Sequence, residues 1–186
     1  MTRTPGIGHN SGQDATGYSG RLHQWRAARR DLLGNALPVE VVRLRVKRAA
    51  ALGLDYGTYA SVRAGTGRDI AALLFSSNAL GLIRRAEFDA RRAAKLAAVD
   101  AACGALMHPP LAPEPVAPLD WAERAPAFGE SWTQMRARLR EVLRRHALPA
   151  DAVLLVGETA VEREWCAAMR AGGYVTGARY FGASDA

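Results

Sequence analysis

Cysteine is nearly missing from this chain of 186 residues, with only Cys103 and Cys166 present. Two cysteines make neither a disulfide framework nor a four-cysteine zinc site, so a reducing cytoplasm is the expected compartment. Long apolar runs are missing as well. No window approaches the roughly eighteen uninterrupted apolar residues of a membrane span. No apolar core follows the early Arg3, so neither a transmembrane segment nor a secretory signal is expected. The four histidines, His9, His23, His108 and His146, are scattered, none at i,i+4 from another ligand, and no metal is expected. There is no Gly-x-Ser-x-Gly elbow. Gly65-Thr-Gly67-Arg68-Asp69 lacks both the lysine of a phosphate-binding P-loop and the third glycine of a dinucleotide fingerprint, and reads more simply as a turn capped by Thr66. These absences argue against an autonomous hydrolase, and no catalytic residue or cofactor is assigned.

What is present is positive charge, unevenly placed. Residues 1–108 hold sixteen Arg/Lys against eight Asp/Glu, and residues 109–186 hold nine against ten, which together give the net +7. A basic half joined to a neutral half is the arrangement of a chain that meets a polyanion. The competing origin is compositional: only Lys47 and Lys95 are lysines, and arginine with abundant alanine is what a GC-rich bacterial coding sequence produces.

The expected fold class is α+β and mainly α-helical, in four parts. Residues 1–20 carry five glycines and almost no large apolar side chains, which predicts a flexible tail, with His9 and Asn10 solvated within it. Residues 21–107 read as a basic helical region. Leu22, Trp25 and Leu32/Leu33 recur at helical spacing, a second helix runs from Pro38 to Leu52, and a third covers Tyr56 to Ala64. Ile70–Phe75 is apolar enough to be a buried helix or a short strand. An alanine stripe (Ala86, Ala90, Ala93, Ala97, Ala101) predicts one long helix over 78–107, whose weakly apolar face needs a partner from self-association or from another protein.

Five prolines within 108–118 predict an extended linker. Residues 119–186 then read as a short stretch capped by Asp120, a helix capped by Ser131 and running to His146, and a small βαβ unit. In that unit Val153–Val156 and Tyr174–Phe181 are the strands, and Thr159–Ala171 is the helix between them.

Two local patterns bear on function. Ala49 lies four residues before Gly53, Leu54 follows as an apolar plug, and Tyr59 and Val62 occupy inward positions on the next helix. This stretch resembles the helix-turn-helix of DNA-binding proteins, with Tyr59 and Gly57 departing from the usual pattern. The resemblance implies base contacts from Tyr56, Ser61 and Arg63, and phosphate contacts from Arg43, Arg45, Lys47 and Arg48. Second, Val153-Leu-Leu-Val-Gly157-Glu158-Thr159 resembles the last βα step of α/β phosphatases and nucleotide-binding domains. There the acidic residue helps to hold magnesium, but the aspartate nucleophile pair such enzymes need on an earlier strand is missing. Three functions stand open: a small cytoplasmic nucleic-acid-binding or regulatory protein, a non-catalytic interaction adaptor, and a phosphatase-like or nucleotide-binding protein.

Overall fold

A computed structural model of the chain describes residues 37–182. The tail expected over 1–20 and the helix expected over 22–33 lie outside the described residues. The order of elements is α1 (Val39–Ala51), α2 (Tyr56–Thr66), β1 (Ala72–Ser76), α3 (Ala90–Ala97), β2 (Ala102–Met107), β3 (Trp121–Arg124), α4 (Trp132–Arg145), β4 (Val153–Gly157), α5 (Ala160–Met169), β5 (Gly173–Thr176) and α6 (Gly177–Phe181). Helix and strand are thus mixed, as expected. The centre, however, is a sheet of five strands in the order β3-β2-β1-β4-β5, every neighbouring pair parallel.

Parallel strands need both faces covered, so the inner ones are apolar without alternation. Every residue of β1 and β4 is buried. Leu73, Phe75, Cys103, Ala105, Leu154 and Val156 face a core completed by Ala49, Leu52, Tyr59, Val62, Leu96, Tyr180 and Phe181. Leu74, Leu106, Val153 and Leu155 face the other core, with Met135, Leu139, Val142, Trp165 and Met169 from α4 and α5. The result is a three-layer, doubly wound arrangement.

The C-terminal βαβ unit forms as the sequence predicts, with β4 and β5 paired parallel from Leu154↔Gly173 onward. The second strand is shorter than expected, because Thr176 caps α6 with its side chain and turns the chain into a helix. Ser131 caps α4 in a reciprocal capping box with Gln134. Ile70–Phe75 resolves as strand, since β1 begins at Ala72.

The single helix expected over 78–107 does not exist. Only Ala90–Ala97 is helical there, and Ala102–Met107 is β2. Alanine favours helix on local propensity, and tertiary packing overrides it here: Gly104 lies so close under β3 that a Cβ there would stand 2.1 Å from the Trp121 ring. The partner surface proposed on that helix disappears with it, and the reading of the fold as mainly helical gives way to one organised by the sheet. The proline-rich segment joins β2 to β3, neighbours in one sheet, and its own Leu111 is buried in the core, so it connects strands rather than separating two units. Asp120 caps no helix; its carboxylate accepts from the Cys103 backbone N–H at 2.7 Å and holds β3 beside β2.

Candidate functional site

In a doubly wound sheet the connections from neighbouring central strands leave toward opposite faces. The crevice between them, at the carboxyl ends of the strands, is where such folds bind ligands. Here that point lies between β1 and β4. The chain leaving β1 proceeds to β2 by way of α3, whose Leu96 joins one core, while the chain leaving β4 enters α5, which packs on the other.

The buried polar residues concentrate at this edge. Among the described residues Thr58, Ser76, Ser77 and Glu162 are the buried polar or charged ones, and all but Thr58 sit here. Ser76 ends β1, and its hydroxyl accepts the Ala79 N–H at 3.1 Å. The Ser77 N–H donates to the Leu106 carbonyl at 3.0 Å, which extends the β1–β2 register one residue beyond the strand. The Ser77 hydroxyl oxygen accepts the His108 N–H at 3.2 Å and lies 2.9 Å from His108 Nδ1.

His108 leaves the end of β2. Its ring stacks on Trp165 of α5 with centroids 5.3 Å apart, and its Nε2 lies 3.7 Å from Glu162 Oε1. Burial pushes the imidazole below its ordinary pKa, opposed by the Glu162 carboxylate, so the ring is neutral at pH 7. A neutral ring that accepts the Ser77 hydroxyl proton on Nδ1 carries its own proton on Nε2, facing Glu162.

Glu162 owes its position to the start of α5. It is the third residue of the helix, and Thr159 and Glu162 form a capping box. Glu162 Oε2 accepts the backbone N–H groups of Glu158 at 2.6 Å and Thr159 at 2.8 Å, and Oε1 accepts Asn78 Nδ2 at 2.9 Å. The positive end of the helix dipole further favours the carboxylate.

This inventory sets what the edge can do. Ser77, His108 and Glu162 stand in the sequence of a hydroxyl, an imidazole and a carboxylate, but Ser77 is 0% exposed and its oxygen already accepts a backbone N–H, so it presents no nucleophile to solvent. The groups open to a ligand are Asn78, the partly exposed His108 (28% of its side chain), Glu158 and Thr159. They form a hydrogen-bonding surface of donors and acceptors. The acidic residue that the β4 resemblance points to, Glu158, is exposed, but the exit of β1 carries Ser77 and Asn78 in place of carboxylates, both oxygens of Glu162 are taken, and no cluster of three metal-ligating side chains occurs among the described residues.

Two cavities lie elsewhere. One of about 580 Å³ lies between β3 and α4 and is lined by Glu123, Arg124, Arg138, Glu141 and Arg145, of which Arg145 pairs with both glutamates. The other, about 350 Å³, runs between α2 and the edge strand β5 and includes Ser61 and Arg179.

None of the seven residues expected to contact nucleic acid is among the groups that converge at the β1/β4 switch point. Arg43 and Lys47 are exposed on α1 and Arg45 is partly so, while Ser61 is exposed on α2 and Tyr56 is half-buried at its first position. Arg48 turns inward. It donates to the Asp69 carboxylate at 3.0 Å, the Ile70 carbonyl at 3.0 Å and the Asp100 carbonyl at 2.8 Å. Arg63 stands 3.8 Å from the same Asp69, which also accepts the buried Tyr59 hydroxyl. Gly53, joining the two helices, has φ +67°, and Ala49 beneath it is buried. The Gly65–Asp69 segment closes α2 and leads into the amino end of β1, remote from the switch point; Gly67 is its left-handed C-cap.

Sequence reasoning missed Ser77 and Asn78 by assigning Asn78 to a helix. The available signal was a polar Ser-Ser-Asn run directly after a fully apolar strand. No protein-family model, curated protein or solved structure matches the chain.

Proposed function

We propose that the protein binds a small polar metabolite at the carboxyl edge of its sheet, and that it acts as a binding or regulatory protein, not as a magnesium-dependent phosphotransferase. One observation carries this reading: Ser77, Asn78, His108 and Glu162, from three separate segments, converge at the β1/β4 switch point, directly beyond the fully buried strands β1 and β4. Buried polar networks are costly unless fully paired, and folds place them where they serve recognition. Amide chemical-shift mapping against sugars, nucleosides, nucleotides and carboxylic acids tests it. A ligand of the right class moves residues 76–79, 108 and 158–162, and Asn78→Ala weakens it. A panel that moves none of these resonances, or only those of the α2–β5 groove, removes the proposal.

A second reading keeps nucleic acid as the partner, through α1 and α2. Its support is the exposure of Arg43 and Lys47 on one helix and of Ser61 on the next, around a turn with the backbone conformation the motif requires. Anisotropy titration of duplex DNA at two salt concentrations decides it, because phosphate contacts make affinity fall steeply with salt. Arg45→Ala and Lys47→Ala then weaken all sequences alike. Absence of binding at low salt excludes this reading. A cytoplasmic location is part of the proposal, supported by two unpaired cysteines and by the lack, among the described residues, of any helix long and apolar enough to cross a membrane.

A further inference from the structure

The edge strand β3 borders a groove. It closes one side of the sheet, and among the described residues its backbone makes no backbone hydrogen bond beyond its ladder with β2. α4 packs Met135, Leu139, Val142 and Leu143 against residues of β1, β2 and β4. The neighbouring stripe of the same helix, Gln134, Ala137, Arg138, Glu141 and Arg145, lines the cavity of about 580 Å³ together with Glu123 and Arg124 of β3. From Gln134 to Arg145 the stripe runs about 16 Å, the length of about five residues of extended chain. Ala137, with no side chain beyond Cβ, leaves room beside the strand for a second backbone.

The groove has a sign. Five arginines stand on α4 against the single Glu141. Arg145 is engaged by Glu123 and Glu141, and Arg138 by Glu130 at 2.6 Å. Arg124, exposed at the end of β3, makes no ion pair among the described residues, which leaves the lining with a surplus cation. A second copy brought edge to edge would present the same Arg124 and the same arginine-rich helix. Charge on an edge strand therefore deters self-pairing and selects a partner strand of the opposite sign.

We propose that this groove takes an extended acidic segment of a partner protein, added along β3 as a sixth strand, with its carboxylates on Arg124 and on the arginines of α4. The surface is separate from the ligand site at the carboxyl edge and does not depend on it. Strand addition draws its affinity from main-chain hydrogen bonds to the free edge, and its selectivity from the side chains that line the groove. A nucleic acid would meet the arginines and leave the backbone groups of β3 without partners. A small acid would occupy one arginine and leave most of the groove's length empty.

Fluorescence anisotropy of the full chain at low salt, with a labelled Val-Glu-Val-Glu-Val peptide as the probe, tests this. The acidic peptide should bind and its Val-Lys-Val-Lys-Val counterpart should not. In an added strand alternate backbone N–H groups face the protein. Methylating the glutamate nitrogens or the valine nitrogens should therefore have unequal effects, one pattern weakening binding about tenfold and the other tolerated. Arg124→Glu should weaken the acidic peptide about fivefold. Ala137→Trp, at an exposed helix position, should fill the groove and abolish binding, whereas Arg140→Glu, exposed on α4 outside the groove, should change it by about twofold or less. Circular dichroism checks that each variant is folded. No binding of the acidic peptide, equal binding of the lysine peptide, or indifference to Arg124→Glu and Ala137→Trp overturns the proposal. Equal effects of the two methylation patterns, or of Arg124→Glu and Arg140→Glu, overturn strand addition in favour of a diffuse basic surface. Tighter capture of a short oligothymidylate than of the peptide overturns the acidic segment as occupant.

Discussion

Replacing Glu162 tests the core of the candidate site. Its carboxylate accepts three hydrogen bonds, from two backbone N–H groups at the start of α5 and from Asn78. Glu162→Gln keeps the shape and one acceptor oxygen. Hydrogen bonds to a charged acceptor contribute roughly 1 kcal/mol more than neutral ones, so the two backbone bonds weaken by about 2 kcal/mol together. Asn78 can turn its amide to accept from the new NH₂, and relief from burying a charge offsets part of the loss. The expected net cost is about 1 kcal/mol. Glu162→Ala strands all three donors and opens a void at the helix start; because Glu158 and Thr159 are exposed, water re-solvates part of the loss, and the expected cost is about 3–4 kcal/mol. Urea unfolding followed by circular dichroism reads both values, with an unchanged dependence on denaturant. The cap is reciprocal, so Thr159→Ala combined with Glu162→Ala should cost less than the two singly. An alanine variant within 1 kcal/mol of the parent, or a glutamine variant worse than alanine, would refute this account of the carboxylate.

Gly104→Ala forces a Cβ to within 2.1 Å of the Trp121 ring, so the β2–β3 edge must shift; a loss of about 1–3 kcal/mol and an altered Trp121 near-ultraviolet signal are expected, and normal stability would contradict the packing. Gly53→Val places a β-branched residue at φ +67° with its Cβ 3.0 Å from the Lys95 side chain, and should cost about 2 kcal/mol or more by thermal unfolding. The lowered pKa of His108 makes the unfolded chain the better proton acceptor between the folded value and 6.5. Its contribution is complete above pH 6.5 and is lost as pH falls through that window, and His108→Gln should flatten this part of the stability profile. The carboxylates with lowered values, Asp55, Asp69, Glu130 and Glu141, act from 4.5 downward, below pH 6.5 where the histidine effect begins.

Features that depend on neighbours in sequence could be read without the fold. Ser131 and Gln134 announce the start of α4, because a capping box is closed within four residues. Val153–Val156 followed by Gly157 announces a buried strand, and Gly172-Gly173 the turn into its partner. The alanine-rich stretch after Asn78 could not be read this way. Alanine's local preference is for helix, and what overrides it in β2 is contact with residues far away, Gly104 against Trp121 and Cys103 against Asp120.

The candidate site was still less accessible to the sequence. Ser77 and His108 are 31 residues apart, and Asn78 and Glu162 are 84 apart, so no local spacing relates them. They meet because all the strands run parallel, which sends every carboxyl end to one edge, and because β1 is the middle strand, with β2 and β4 on either side. Local chemistry therefore settled the capped start of α4 and the buried strand β4 with its βαβ partner. Strand order, which arises only when long-range pairing buries both faces of the sheet, settled which polar side chains became neighbours.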